Sequence, residues 1–253
     1  MLTVFAAASQ TSGYYGGYGM NGMGWFDPTY ILVIIGIVIT LIASANVKNT
    51  FAKYDKVRSR RGITGAECAR KILDANGLHN IQIQHISGEL SDNFNPKTGI
   101  VSLSDSTFNS SSIAALGVAA HECGHAVQHA VGYAPIKIRN SIVPVVNICS
   151  YAAIPLIFIG IILSQTGLSM FGVILYCSVL AFQLVTIPTE TNASARALQT
   201  LESMALLDED ELKGARKVLT AAAMTYFVSA ASTALTILRF VLIIMGNNRS
   251  NRK

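Results

Sequence analysis

Charge is scarce in this sequence. Of 253 residues, 13% are Asp, Glu, Lys or Arg, against about 25% in ordinary globular chains. With 51% hydrophobic residues, that shortfall points to a membrane protein before any position is read. No basic patch interleaved with aromatics is present, and the net charge is only +5. Nothing therefore points to nucleic acid. CxxC pairs are missing too: the cysteines are Cys68, Cys123, Cys149 and Cys177. That spacing argues against a disulfide framework and favours a reducing compartment for the polar part. Residues 1–26, rich in Gly, Tyr, Met and Ser, have neither a basic n-region nor a cleavage site. They read as a flexible lead-in, not a cleaved signal.

What is abundant is long apolar sequence. Four segments, Tyr30–Asn46, Ile142–Leu163, Leu168–Ile187 and Ala221–Met245, approach the roughly 20 residues a helix needs to cross the hydrocarbon core. Lys48, Lys53, Lys56, Arg58, Arg60 and Arg61 follow the first. Lys137 and Arg139 precede the second, and Arg196, Lys213, Arg216 and Lys217 follow the third. If all four cross, these cations share one side, which the positive-inside rule makes the cytoplasm. Arg249, Arg252 and Lys253 dissent from the far side, and Arg239 is placed to snorkel.

Between the first two spans lies a polar region able to fold. Thr64-Gly65-Ala66-Glu67 has the form of a capping box. Asn80–Ile86 alternates as a strand does, Asn93–Gly99 reads as a turn with a composition suited to a lid, and Ile100–Ser104 as a returning strand. Alternation suggests that Ile100–Ser104 could hold an extended substrate by strand addition. An apolar helix is expected from Ile113 to about Gly132, and Asp208 and Glu211 cap a helix that runs into the fourth span.

The expected Ile113 helix carries His121-Glu122-Cys123-Gly124-His125. Histidines four apart project from one helical face, one turn apart, and two such imidazoles can share a zinc ion. Glu122 then stands beside the metal, placed to take a proton from the water it activates and pass it to a leaving amine. At this composition the pattern arises by chance about 0.003 times. A catalytic zinc takes three protein ligands. The variant with a third His ten residues after the first is excluded by Val131, which leaves His129 and Glu190. His129 lies a further turn along. Glu190 follows Pro188, which is expected to stop the third span so that a new helix opens at the acid. Gln128, Asn192 and Ser194 are candidates to accept a proton from the ligand imidazoles; His129, Arg196 and Tyr226 are candidates to stabilise an oxyanion.

These residues and several others, among them Phe26-Asp27-Pro28-Thr29-Tyr30, Leu73-Asp74-Ala75-Asn76-Gly77-Leu78, Pro144-Val145-Val146-Asn147 and Phe182-Gln183-Leu184-Val185-Thr186, resemble the YugP-like neutral zinc metallopeptidases of bacterial membranes. The resemblance runs from about residue 26 to 245. It implies zinc held by His121, His125 and Glu190, with Glu122 catalytic. The family pattern around the third ligand resembles Pro-Val-Glu-Phe-Asp-Ala-Ser. Here it reads Pro188-Thr189-Glu190-Thr191-Asn192-Ala193-Ser194, so the Glu matches while Asn192 replaces the Asp. The layout is also similar to the HtpX and CAAX-prenyl-protease group, which implies a gluzincin-like site facing the cytoplasm.

The expectation is a mainly α membrane protein of about four transmembrane helices, with a zincin-like cytoplasmic catalytic region carrying a small β-hairpin. It divides into a flexible segment 1–26, a first transmembrane helix 27–50, the zincin-like region 51–141, helices two and three in 142–187, a cytoplasmic region 188–220 with the third ligand, a fourth helix 221–246 and a tail 247–253. The function expected is that of a multi-pass plasma-membrane zinc endopeptidase acting on protein or peptide substrates, including membrane-associated ones. The alternatives are an intramembrane protease, with the helix around His121 in the lipid, and a zinc-binding scaffold or chaperone that does not cut.

Overall fold

A computed structural model describes residues 28–250, with side chains through residue 246. The lead-in 1–26, the Phe26-Asp27 motif and the tail cations Arg252 and Lys253 lie outside the described residues. The elements in chain order are α1 (Tyr30–Asp55), α2 (Gly65–Ala75), β1 (Gln82–Ile86), β2 (Asn93–Asn95), β3 (Ile100–Ser104), α3 (Ile113–Ala130), α4 (Ala134–Ile162), α5 (Thr166–Ser203) and α6 (Glu209–Ser250).

Four of these helices, α1, α4, α5 and α6, are long and apolar enough to cross a membrane. Helix α3 is not one of them. Large apolar side chains such as Ile34, Leu41, Ile148, Ile162, Ile174 and Leu242 stand exposed along them. A water-soluble fold would bury so much apolar surface, whereas lipid solvates it.

By its contacts the chain forms two compact units. One comprises Asn46–Tyr133 with Glu190–Ala223; the other holds the described residues through Ala45, Ala134–Thr189 and those from Met224. In the second, Ile157, Val173, Phe240 and Ile244 form an apolar cluster, and Arg239 lies 4.1 Å over the ring of Tyr30. Arg239 thus stacks on an aromatic face, a favourable place for a cation with few polar partners.

The first unit is built on α3. Helix α2 packs on one side of α3, and strands β2 and β3 also pack against it. Cys68, Ala69, Ile72 and Leu73 of α2, Val101 and Leu103 of β3, Leu116, Ala119, Ala120 and Cys123 of α3, and Ala197 and Leu201 of α5 make one continuous core. Each large aliphatic side chain buried there contributes about 1.5 to 3 kcal/mol. The capping box forms as expected: the Thr64 hydroxyl accepts from the Glu67 amide while the Glu67 carboxylate accepts from the Thr64 amide. Ser112 caps α3 in the same way through the Ala115 amide. Helix α3 is therefore a core helix of a sheet-bearing unit, which argues against an intramembrane site.

The sheet differs from expectation in its pairing. Its order is β1-β3-β2, with β1 parallel to β3 and β2 antiparallel to it. A hairpin is present, but β2 forms it with β3, whereas the sequence suggested β1 as the partner. Alternation fixes which face a strand buries, not its direction, and Asn93-Phe94-Asn95 is too short and polar to show a period. Two expectations fall with this. The lid segment is in part a paired strand, and β3 is hydrogen-bonded on both sides, so no substrate can add to it. Nor does Pro188 end a helix, since α5 runs unbroken through it. The Thr186 and Thr189 hydroxyls bond the carbonyls of Phe182 and Val185, close to the Leu184 carbonyl whose helical N–H donor Pro188 cannot supply.

Candidate metal centre

Helix α3 brings His121 and His125 onto one face, and α5 brings Glu190 against them, 69 residues away in sequence. All three are buried, at 7%, 8% and 3% exposure. One ligand atom from each lies within 4.8 Å of the others. The His121 Nε2 to Glu190 Oε2 distance is 3.3 Å and the His125 Nε2 to Glu190 Oε2 distance is 3.5 Å. A charge-assisted hydrogen bond would be shorter, about 2.7 to 2.9 Å. Ligand atoms set tetrahedrally at about 2.0 to 2.1 Å from a common ion lie about 3.3 Å from one another. The residues therefore fit a zinc ion better than an ordinary ion pair.

The other ring nitrogens are also held. His121 Nδ1 lies 3.2 Å from Ser194 Oγ, and His125 Nδ1 lies 3.1 Å from Gln128 Oε1. Each Nε2 is thus left to face the ligand position, the arrangement in which outer partners fix a ligand's orientation. Gln128 is fully buried and gives its amide hydrogen to Asn192 Oδ1 at 2.9 Å, so all three of the partners expected from sequence converge here.

Glu122 is 6% exposed, and none of the described residues hydrogen-bonds its carboxylate. Burial pushes it up to about 7; His121 works against this, while the charges of Glu190 and Asp92 add to it. Asp92 was not foreseen: it is buried, accepts from the Ser104 amide and hydroxyl, and ties the start of β2 to the end of β3. No spacing in the sequence links it to Glu122.

Of the other expected residues, His129 packs edge-on against Phe94, with ring centroids 6.1 Å apart, and is not part of the donor group. Arg196 gives its Nε hydrogen to Asn192. Tyr226 belongs to α6 in the other unit. Cys123 is fully buried with its thiol toward the Ala69 carbonyl, and burial raises it well above the ordinary thiol range; burial likewise pushes Cys68 up to about 12. Maleimide should leave both unmodified in the folded protein and react with them on unfolding. Rapid labelling of Cys123 in the native state would contradict this packing.

Gly124 sets the separation of the two ligand helices. A Cβ there would meet the Ala193 carbonyl oxygen at 2.8 Å. Gly124→Ala should therefore push α5 from α3, cost about 1 to 3 kcal/mol of stability and weaken zinc binding. Thermal unfolding with and without zinc measures both, and an unchanged variant would refute the close approach.

Two histidines and a carboxylate thus come together in one buried group of the kind that can hold a metal ion, with a second buried carboxylate, Glu122, next to His121 on the same helix. The chain belongs to the family described as "Putative neutral zinc metallopeptidase", whose model matches residues 29–245. It is 41% identical over 221 residues to "Putative membrane protease YugP" of Bacillus subtilis (strain 168), covering 87% of this chain and 98% of that protein. No solved structure gives a significant match.

Proposed function

We propose that this protein is an integral-membrane zinc-dependent endopeptidase with zinc held by His121, His125 and Glu190 and with Glu122 as general base and acid. The observation that carries the reading is the buried donor triangle of His121, His125 and Glu190, with the buried Glu122 carboxylate close enough to feel the charges of His121 and Glu190. Bound zinc supplies Lewis acidity, which brings the pKa of a water down toward neutrality and polarises a carbonyl oxygen. His121 and His125 present Nε2 because Ser194 and Gln128 hold their Nδ1 atoms. Glu190 contributes the negative charge that balances a divalent ion in a buried place.

Glu122 takes a proton from the attacking water and returns it to the leaving amine. In the metal-free protein burial raises its proton affinity, the direction that suits a carboxylate that must take up and return a proton. The donor group holds three side chains, the number a catalytic zinc would take from protein. An extended peptide can lie along the outer edge of β2, which packs beside α3 and pairs with β3 on its inner edge alone among the described residues.

The distribution of Lys and Arg supports a multi-pass plasma-membrane protein with this site on the cytoplasmic side. Substrates on this reading are unfolded or membrane-associated proteins. The test is cleavage of an unfolded protein by the detergent-purified chain. Zinc should support it, a chelator should stop it, and added zinc should restore it. Cleavage indifferent to the chelator would contradict the reading.

A further inference from the structure

Arg196 touches neither the donor triangle nor Glu122. It is half-buried on α5 and lines a cavity of about 330 Å³ with Ile72, Asn76, Gly124 and Thr200. We infer that Arg196, acting through Asn192 and Gln128, is the positioning residue that sets which nitrogen of His125 is free to bind metal. This rests on the proposed zinc site.

The argument follows the direction of each hydrogen bond. A guanidinium can only donate. Arg196 Nε lies 2.9 Å from an Asn192 side-chain terminus, which must therefore be the carbonyl oxygen Oδ1. That same oxygen lies 2.9 Å from the Gln128 amide, which must then present its NH2. Gln128 consequently turns its oxygen to His125 Nδ1, 3.1 Å away. An oxygen there needs a donor, so Nδ1 carries the hydrogen and Nε2 keeps the lone pair that faces Glu190. Amide orientation and imidazole tautomer are ambiguous one at a time. Here the chain of three is anchored at Arg196, the end that cannot reverse. Were Gln128 to turn over, it would donate to Nδ1, and the hydrogen would move to Nε2, where it blocks the metal.

His121 lacks such a chain, since the Ser194 hydroxyl can donate or accept by rotation. The inference also assigns Asn192 its task. The position needs an acceptor for two donors, and a neutral amide oxygen suffices.

The experiment is zinc affinity of the full chain in detergent, measured by competition with a fluorescent chelator, so that no cleavage is required. Asn192→Leu removes the acceptor and should weaken zinc binding by about 10- to 100-fold, the range found for outer partners of metal ligands. Asn192→Asp keeps the acceptor and should stay within about threefold. Arg196→Met, at a half-exposed position, should weaken binding about three- to tenfold and carries the test if Asn192→Leu does not fold. Wild-type affinity in Arg196→Met, or an equal loss in the Leu and Asp variants, overturns the inference. His125→Ala separates this from the parent reading: if it binds zinc as wild type does, the zinc site itself is wrong. If it loses zinc while Arg196→Met does not, only the positioning role fails.

Discussion

Replacing Glu122 by Gln should leave zinc bound and lower kcat/KM on an unfolded substrate by about 10²- to 10⁴-fold, the usual worth of a positioned general base. That corresponds to about 2.7 to 5.4 kcal/mol of transition-state stabilisation. Glutamine keeps the volume and the packing on α3 but cannot accept and return a proton. The same substitution has a second readout, in the metal-free protein. Folding raises the Glu122 pKa from 4.5 to about 7, so the folded state holds a proton that the unfolded state releases. Stability attributable to this group is therefore undiminished below about pH 4.5 and falls as pH rises toward 7. The loss is on the order of 3 kcal/mol. Glu122→Gln should flatten that part of the pH–stability curve. If both proteins show the same slope between pH 4.5 and 7, the carboxylate is better solvated than its 6% exposure indicates.

Glu190→Gln should cost more in metal than in fold. The side chain is 3% exposed and sits 3.3 and 3.5 Å from the two imidazole Nε2 atoms. Gln fills the same space with a neutral, poorly ligating group, and the buried ion loses its balancing charge. Loss of a direct ligand should exceed the roughly 10- to 100-fold cost of losing an outer partner, so zinc affinity should fall by more than about 100-fold. At a fixed zinc concentration that removes about 2.7 kcal/mol of zinc-dependent stabilisation. Differential scanning fluorimetry with and without zinc measures it. A variant as strongly stabilised by zinc as the wild type would remove Glu190 from the ligand set.

What could be read from the sequence had short-range physical causes. His121 and His125 announce themselves because four residues make about one helical turn, and Thr64 with Glu67 because a capping box is local. The spans could be read because length and apolarity are all a bilayer requires. Glu190 could be picked out as an acid next to a span, but for a reason that failed in part: Pro188 lies within α5, whose neighbouring threonine hydroxyls bond backbone carbonyls. Strand pairing could not be read, because side-chain alternation along β1 and β3 is the same for parallel and antiparallel neighbours. Nor could the links from Arg196 to His125, which run through Gln128 and Asn192, two amides 64 positions apart whose direction depends on the partners they meet.

The account rests on a zinc ion bound by nitrogen and oxygen alone. Zinc K-edge X-ray absorption on the purified protein tests that directly. The prediction is one zinc per chain, with a first shell of nitrogen and oxygen at about 2.0 to 2.2 Å and two imidazoles in it. A sulfur shell at about 2.3 Å, or protein that purifies and stays free of zinc when zinc is supplied, would contradict the account.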